Sequence, residues 1–192
     1  MGKSNMIKYS GMKKLLVLLI ATLFVFGLWA QRNSRWAVPV EARYVSNFYK
    51  IDEGVYRCSQ PDARAFAELE GMGIKEVLNL RNFHNDRTLA QNTNLTLHLV
   101  RMNAGDSDWN KLAEALKIIK NRRGPIVIHC WHGSDRTGIV CALYRLVFQG
   151  WTKEAAIDEL ENGGYGYHAV YDNIKTFIRN VDVERLKAAV FE

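Results

Sequence analysis

The sequence predicts an α/β domain in which helices pack on the faces of a central sheet. Short apolar or alternating segments typical of strands alternate along the chain with longer segments whose apolar residues have helical spacing. Of the 192 residues, 48% are hydrophobic and 24% are charged. This composition favours a single globular domain with a real core and excludes a disordered chain.

Strand and helix signals follow one another from residue 47 to the end of the chain. Strand character marks two short segments around an Asp-Glu-Gly turn within residues 47–58, and then residues 74–80, 95–102 and 125–130. Helical spacing marks residues 63–70, 108–123, 136–150, 153–162 and a final stretch from Ala169 to Val190. Capping residues agree with these bounds, since Asp108 or Ser107 can begin the second helix, Gly150 can end the third and Thr152 can begin the fourth.

The first thirty residues differ from the rest of the chain. Four lysines and no acidic residue precede the 16-residue apolar run "LLVLLIATLFVFGLWA" (15–30), a pattern typical of an export signal. The run is shorter than the ~20 residues that usually cross a bilayer, so a cleaved signal peptide and a retained membrane anchor both stay open. We therefore expect a leader or anchor at 1–30, a linker at 31–46 and the globular domain at 47–192.

The charge distribution bears on location and partners. Lysines ahead of the apolar run favour a cytoplasmic N terminus, so we expect the domain to be exported, either free in the periplasm or anchored to the membrane facing it. The net charge of +6 comes mostly from that leader, because the remaining 22 basic residues nearly match the 20 acidic ones. A balanced domain gives no support for a nucleic-acid partner. The oligomeric state does not follow from the sequence.

The stretch "IVIHCWHGSDRTGIV" (126–140) combines an apolar strand, a loop and the start of an apolar helix. Such a loop directs unpaired backbone N–H groups at one point, and the helix dipole adds about half a positive charge there. Cys130 lies at the strand end in this field, which favours its nucleophilic thiolate form. Arg136 can offer a planar pair of donors to two oxygens of an oxyanion. A cysteine that can attack and an arginine that can bind a tetrahedral dianion together indicate phosphoryl transfer.

The segment "HCWHGSDRTG" (129–138) matches the signature His-Cys-x-x-Gly-x-x-Arg-Thr-Gly. On this segment, and on "GVYRCSQP" and "VLNLR", the chain resembles the cysteine-dependent tyrosine and dual-specificity phosphatases over most of residues 47–180. The resemblance implies a central sheet of four or five strands flanked by helices, with the active-site loop at the C-terminal end of the 125–130 strand. It also implies hydrolysis of phosphate monoesters, with protein phosphotyrosine as the first expected substrate and phosphoserine or phosphothreonine as further ones.

The same resemblance assigns roles to individual residues. Cys130 would form a phosphocysteine intermediate, and Arg136 would bind the phosphoryl oxygens. Thr137 would hydrogen-bond the thiolate, and His129 would orient the loop through backbone contacts. The loop expected to bind phosphate consists of Trp131, His132, Gly133, Ser134, Asp135 and Arg136.

The family takes a proton for the leaving group from an aspartic acid on a loop before the cysteine. "NAGDSDW" (103–109) offers Asp106 and Asp108. If Asp108 caps the helix that follows, its carboxylate is committed to backbone N–H groups, so Asp106 is the expected general acid and Asp108 the alternative.

Other functions are weighed against this one. A phosphoinositide or inositol phosphate phosphatase is the nearest alternative, and a non-catalytic module that captures phosphotyrosine is a further one. The histidines beside Cys130 lack the C-x2-C or H-x3-H spacing of zinc sites, so we expect no metal and no cofactor.

Three cysteines are an odd number, so at least one should be a free thiol. Cys141 is expected in the core, while Cys58 is expected to be a core or surface thiol, with a redox partner of Cys130 as the alternative. Arg81 is expected to be a surface arginine, with a part in anion binding as the alternative. The Gly- and Tyr-rich segment 161–173 is expected to be a connecting loop, with Tyr165, Tyr167 or His168 lining the substrate cleft as the alternative.

Overall fold

A computed structural model describes residues 32–192 of the chain. The strands are β1 (Val38–Pro39), β2 (Tyr49–Lys50), β3 (Val55–Cys58), β4 (Glu76–Arg81), β5 (Thr96–Met102) and β6 (Ile126–His129). The helices are α1 (Ala63–Gly71), α2 (Trp109–Lys120), α3 (Asp135–Gln149), α4 (Lys153–Asn162), α5 (Asp172–Asn180) and α6 (Val183–Phe191), with a 3-10 turn at Ala169–Tyr171. The predicted α/β class is confirmed.

The strands form one mixed sheet in the order β1-β2-β3-β6-β4-β5. Strands β3, β6, β4 and β5 run parallel to one another, whereas β2 pairs antiparallel with both β1 and β3. All four residues of β6 are buried, as a central parallel strand covered on both faces requires. Because parallel strands end at the same edge, the segments that follow β3, β4, β5 and β6 meet there.

The two faces of the sheet have separate apolar clusters. On one face Phe66 and Leu69 of α1 pack with Cys58 and Val127. Cys130 belongs to the cluster on the other face, which also contains most buried residues of α2 to α6. Successive residues of a strand point to opposite faces, which explains why β6 contributes to both clusters.

Side-chain caps explain where several helices begin. Asp108 accepts hydrogen bonds from the N–H groups of Asn110 and Lys111, so this residue caps α2 and Ser107 does not. Thr152 caps α4 as predicted. Gly150 ends α3 in a left-handed conformation with φ of 64°.

The sheet is larger than the resemblance implied, with six strands within residues 32–192 rather than four or five. The additional strand is β1, which lies within the segment expected to be a linker. The compact unit begins at Arg35, and Ala37 and Val45 are buried in it. A two-residue strand is too short to show any periodicity in the sequence.

The last predicted helical stretch, Ala169 to Val190, is divided into the 3-10 turn, α5 and α6. Val181 breaks the helix with extended backbone, and the Asp182 carboxylate then accepts from the Arg185 N–H to begin α6. The leader predicted at 1–30 lies outside the described residues. Between residues 32 and 192, no helix is both long and apolar enough to span a bilayer.

Candidate active site

Residues 130–136, hereafter the phosphate loop, join β6 to α3 at the C-terminal edge of the sheet. Cys130 is 1% exposed and lies directly after the last strand residue. Gly133 turns the backbone with φ of +74°, and a Cβ atom there would lie 2.4 Å from the Cys58 carbonyl oxygen. Only glycine fits both conditions, which accounts for its place in the signature.

The start of α3 is open to an anion. Ser134 precedes the helix, but no side chain caps it in the described part of the chain. The Ser134 hydroxyl instead donates to the Tyr165 carbonyl oxygen at 2.7 Å. The N–H groups of the first helical turn are therefore left for a ligand, with the positive end of the helix dipole behind them.

Arg136 lies in the first turn of α3 and is half-buried. Its Nη1 donates to the Met102 carbonyl oxygen, 3.3 Å away at the end of β5. The guanidinium therefore lies at the same edge as Cys130, beside the segment that bears Asp106.

His129 is fully buried under the phosphate loop. Its Nε2 lies 2.9 Å from Asp86 Oδ2, and its Nδ1 lies 3.2 Å from the Cys130 carbonyl oxygen. Burial works to raise the pKa of Asp86, but the contacts with His129 and with Gln60 outweigh it and hold that pKa below its usual value. The histidine thus contacts the loop backbone, which agrees with an orienting role.

A chain of polar contacts continues from Asp86 to the mouth of the site. Gln60 donates its amide to Asp86 Oδ1 at 3.0 Å and accepts from Arg81 Nη1 at 2.8 Å. The Arg81 guanidinium lies 4.3 Å from the centre of the Trp131 ring. Arg81 is therefore half-buried at the rim of the site, where the contacts with Gln60 and Trp131 hold it in place.

Thr137 and Gly138, the last two residues of the signature, lie in different surroundings. Thr137 is fully buried, and its hydroxyl makes no hydrogen bond with any described residue, so the bond to the thiolate that the resemblance implies is not formed in this structure. A Cβ atom on Gly138 would lie 2.4 Å from Leu160 Cδ1. The absence of a side chain at Gly138 therefore lets Leu160 of α4 pack closely on α3.

Asp106 and Asp108 have different partners. The Asp108 carboxylate accepts from the two N–H groups at the start of α2, as its capping role requires. Asp106 accepts from Lys111 Nζ at 2.9 Å and from the N–H groups of Asn103 and Asp108. Burial alone would raise the pKa of Asp106, but these donors outweigh it and lower that pKa.

The segment 163–168 supports the phosphate loop from the side. His168 binds the Asp135 carboxylate through its N–H at 2.9 Å and through Nδ1 at 2.8 Å. Asn47 donates to the carbonyl oxygens of both His132 and Tyr165. Tyr165 is buried beneath the loop, and with His132 and His168 it also lines an open pocket beside the loop. The segment is therefore a structural support for the site and more than a plain connection.

The other two cysteines lie in apolar surroundings. Burial raises the pKa of the Cys141 thiol to about 11 and that of Cys58 well above its usual value. Cys58 packs on the sheet face opposite Cys130, which favours the core interpretation. All three cysteines are free thiols in the structure.

Sequence reasoning missed several residues of this site. Asp86, Gln60 and Asn47 reach the phosphate loop or His129 from positions far away in the chain. The only local signal is an acidic residue in a loop after a strand, which is too common to predict a buried partner for His129.

Comparisons with known proteins agree with this geometry. A model of the tyrosine phosphatase family matches residues 44–189. The dual specificity protein phosphatase TpbA of Pseudomonas aeruginosa is 31% identical over 166 residues, which cover 84% of this chain and 73% of that protein. The inositol diphosphatase DSP2 of Oryza sativa subsp. japonica is 30% identical over 126 residues, or 60% of this chain and 61% of that protein.

Solved structures match the fold. The crystal structure of P. aeruginosa TpbA has a TM-score of 0.75 at 29% identity, covering 84% of this chain and 100% of that one. A cysteine-to-serine form of TpbA in complex with phosphotyrosine has the same TM-score and covers 99% of that chain. The phosphate loop, the parallel strands that present it and the family match over most of residues 35–192 lead to one conclusion: the chain belongs to the tyrosine phosphatase family.

Proposed function

We propose that this protein hydrolyses phosphotyrosine in proteins through a phosphocysteine formed on Cys130. The observation that carries the proposal is the phosphate loop itself, where a buried strand-end cysteine is followed by an uncapped helix start and by Arg136. The complex of TpbA with phosphotyrosine supports this choice of substrate. Phosphoserine and phosphothreonine are further substrates of the proposed activity, since the related TpbA is a dual specificity phosphatase.

The reaction has two steps in this proposal. The Cys130 thiolate attacks phosphorus, the ester P–O bond breaks, and Asp106 protonates the departing oxygen. Water then attacks the phosphocysteine while Asp106 takes its proton, the S–P bond breaks, and inorganic phosphate and the thiolate result. Through both steps the loop N–H groups and Arg136 bind the three other phosphoryl oxygens, which stabilises the charge that develops on them.

Thr137 and His129 have supporting roles in the proposal. The unpartnered Thr137 hydroxyl would donate to the sulfur when the S–P bond breaks. His129 would hold the Cys130 carbonyl, and with it the start of the loop, while Asp86 fixes the imidazole.

Inositol phosphates are the second candidate substrate. The rice relative is named an inositol diphosphatase, and Arg81 brings a second guanidinium to the rim of the site. Phosphotyrosine is favoured over this candidate because the loop residues 131–135 include no lysine to bind further phosphate groups.

We also propose that the phosphatase domain acts outside the cytoplasm. The lysines and the apolar run of residues 1–30 support export, with the domain free in the periplasm or anchored to the membrane. Fractionation of cells that express the full chain tests this, since the proposal requires the protein in the periplasmic or membrane fraction. Recovery in the cytoplasm alone would contradict it.

A substrate panel tests the catalytic proposal. Wild-type protein is assayed for phosphate release from phosphotyrosine, phosphoserine and phosphothreonine peptides and from inositol phosphates, with and without a metal chelator. We expect phosphotyrosine to be hydrolysed fastest, chelator to have no effect, and both Cys130→Ser and Arg136→Ala to abolish turnover. Turnover retained by Cys130→Ser would overturn the mechanism, and faster release from an inositol phosphate would overturn the substrate assignment.

A further inference from the structure

Arg57, the third residue of β3, is a buried arginine that the proposed reaction does not use. It is 2% exposed. Its Nη2 donates to the Gly133 carbonyl oxygen at 2.6 Å, and its guanidinium carbon lies 3.7 Å from the centre of the Tyr165 ring. Its Nε is buried and has no hydrogen-bond partner in the described part of the chain. Arg57 therefore extends beneath the phosphate loop and ends there.

The charge of Arg57 is not neutralised by a carboxylate. Among the ion pairs of residues 32–192, the other buried arginine, Arg145, binds Glu159 through two nitrogens at 2.7 and 2.8 Å, whereas Arg57 has no such partner. An isolated buried charge is costly, so a buried arginine without a carboxylate partner points to a different negative group that compensates it. The guanidinium contacts the phosphate loop through the Gly133 carbonyl, and its other close contact described above is the uncharged ring of Tyr165.

The acidic groups around the loop are bound elsewhere. Asp86 pairs with His129 and Asp135 with His168, while Asp106 lies 2.9 Å from Lys111. Three cations, Arg57, Arg81 and Arg136, thus lie around the loop. Among the described residues, no carboxylate forms an ion pair with any of these three guanidinium groups. The negative groups that fit this surplus are the Cys130 thiolate and a bound phosphate dianion.

Arg57 and Cys130 lie on the same face of the sheet. Arg57 is opposite Ile128 in the parallel pairing of β3 and β6, and Cys130 is two residues beyond Ile128. The charge of Arg57 works to lower the pKa of Cys141 and of Cys58, although burial prevails at both. The field of Arg57 therefore reaches the thiols that flank the site.

The contact with Gly133 also fixes the direction of the loop backbone. If N–H groups are to point at one anion, the carbonyl groups between them must point away from it. The left-handed conformation of Gly133 makes this reversal, and Arg57 receives the carbonyl on the inner side.

We propose that Arg57 is a positioning residue of the phosphate loop, which holds the Gly133 carbonyl inward and supplies the positive charge that stabilises the Cys130 thiolate and the bound phosphate. This rests on the proposed function only in that the loop binds phosphate. Charge and position are separable: a lysine at 57 keeps the charge but not the fork of donors, and a methionine keeps neither.

Two measurements that need no turnover test the proposal in full-length protein. The first is the pH dependence of Cys130 alkylation by iodoacetamide, followed by mass spectrometry of the Cys130 peptide. In Arg57→Met we expect the midpoint to rise by about one pH unit or more, the effect of removing a nearby opposite charge, and in Arg57→Lys to stay near wild type. The second is the binding of inorganic vanadate, which should weaken about tenfold or more in both variants, the size expected for a lost charged hydrogen bond.

Arg145→Lys is the matched control, since it alters a buried arginine that is already paired with Glu159. We expect it to lower the melting temperature while both the alkylation midpoint and vanadate binding stay at wild-type values. If Arg57→Met and Arg57→Lys lower only the melting temperature, Arg57 is structural and the proposal is wrong. Failure of the catalytic proposal would show separately, as wild-type protein that releases no phosphate from any substrate.

Discussion

The phosphate loop and the loop 103–108, which carries Asp106, differ in how they are held. The phosphate loop is fixed by side chains from distant segments, such as Arg57 and Asn47, which bind its carbonyl groups. Asp106 is held mostly by its own neighbourhood, with donors from Asn103, Asp108 and Lys111. A group of dipoles that stabilises charge must be fixed before the substrate arrives, whereas a proton donor needs contact with one atom of the leaving group.

The sharpest test of this difference removes the acid. Asp106→Asn should slow the hydrolysis of alkyl phosphates by about 10²–10⁴-fold, because their leaving oxygen needs a proton. Hydrolysis of p-nitrophenyl phosphate should change much less, because nitrophenolate leaves without one. The measurement is kcat for both substrates.

Asp108→Asn is the control for that variant. It makes the same change in charge two residues further on, and asparagine caps a helix about as well as aspartate. We expect little change in kcat with either substrate. A loss confined to poor leaving groups in Asp108→Asn would show that Asp108, not Asp106, is the acid.

Gly133→Ala tests the rigidity of the phosphate loop. The new Cβ would lie 2.4 Å from the Cys58 carbonyl oxygen at a φ of +74°, so the loop must move. We expect kcat to fall by about 10²–10³-fold for good and poor leaving groups alike, as when an oxyanion donor is lost. Equal loss with both substrates distinguishes this variant from Asp106→Asn.

Gly150→Ala is its matched control. Gly150 also has a positive φ, of +64°, but a Cβ there meets no atom within 4 Å. The variant should lower the free energy of unfolding by about 1–2 kcal/mol, the cost of a left-handed alanine, and leave kcat unchanged. A fall in kcat as large as that of Gly133→Ala would mean that the loop is not specially constrained.

The smallest expected effect concerns Lys111. Its ammonium helps to lower the pKa of Asp106, so Lys111→Met should raise that pKa. Asp106 then stays protonated to higher pH, and the basic limb of the kcat profile for an alkyl phosphate should move to higher pH by less than about one unit. An unchanged limb would show that Asp106 does not set it.

The contact between Asp106 and Lys111 also makes the free energy of unfolding depend on pH. Because the pKa of Asp106 is lowered in the folded state, its contact with Lys111 stabilises the protein above the ordinary aspartate pKa of about 3.9 and is lost as the pH falls through the folded value. Chemical denaturation of wild type and Lys111→Met at pH 3 and pH 7 should therefore differ more at pH 7. Both groups are partly exposed, so the difference is small.

The local sequence pattern was sufficient to predict part of the fold and of the candidate site. Cys130, Gly133 and Arg136 are close in the chain, and the apolar strand before them and the apolar helix after them fix their relation. The position before an amphipathic helix also predicted a cap at Asp108 or Ser107, and the structure has it at Asp108. These features depend on the conformation of adjacent residues, which sequence spacing encodes.

The remainder depends on contacts that spacing does not encode. Arg57 and Gly133 are 76 residues apart, and Asp86 and His129 are 43 apart. Their meeting is set by the order of strands in the sheet, since β3 and β4 both adjoin β6. The strand β1 was not predicted for a different reason, because a segment of two residues is too short to show the alternation typical of a strand.

Asn47 has a consequence for how the protein acquires its activity. One amide nitrogen joins His132 and Tyr165, which are 85 and 118 residues further along the chain. Contacts of such sequence separation cost more chain entropy to close than local ones, and they require both parts of the chain to be present. A chain that has been synthesised only as far as Cys130 lacks Tyr165, so phosphatase activity reports that both ends of the domain have come together.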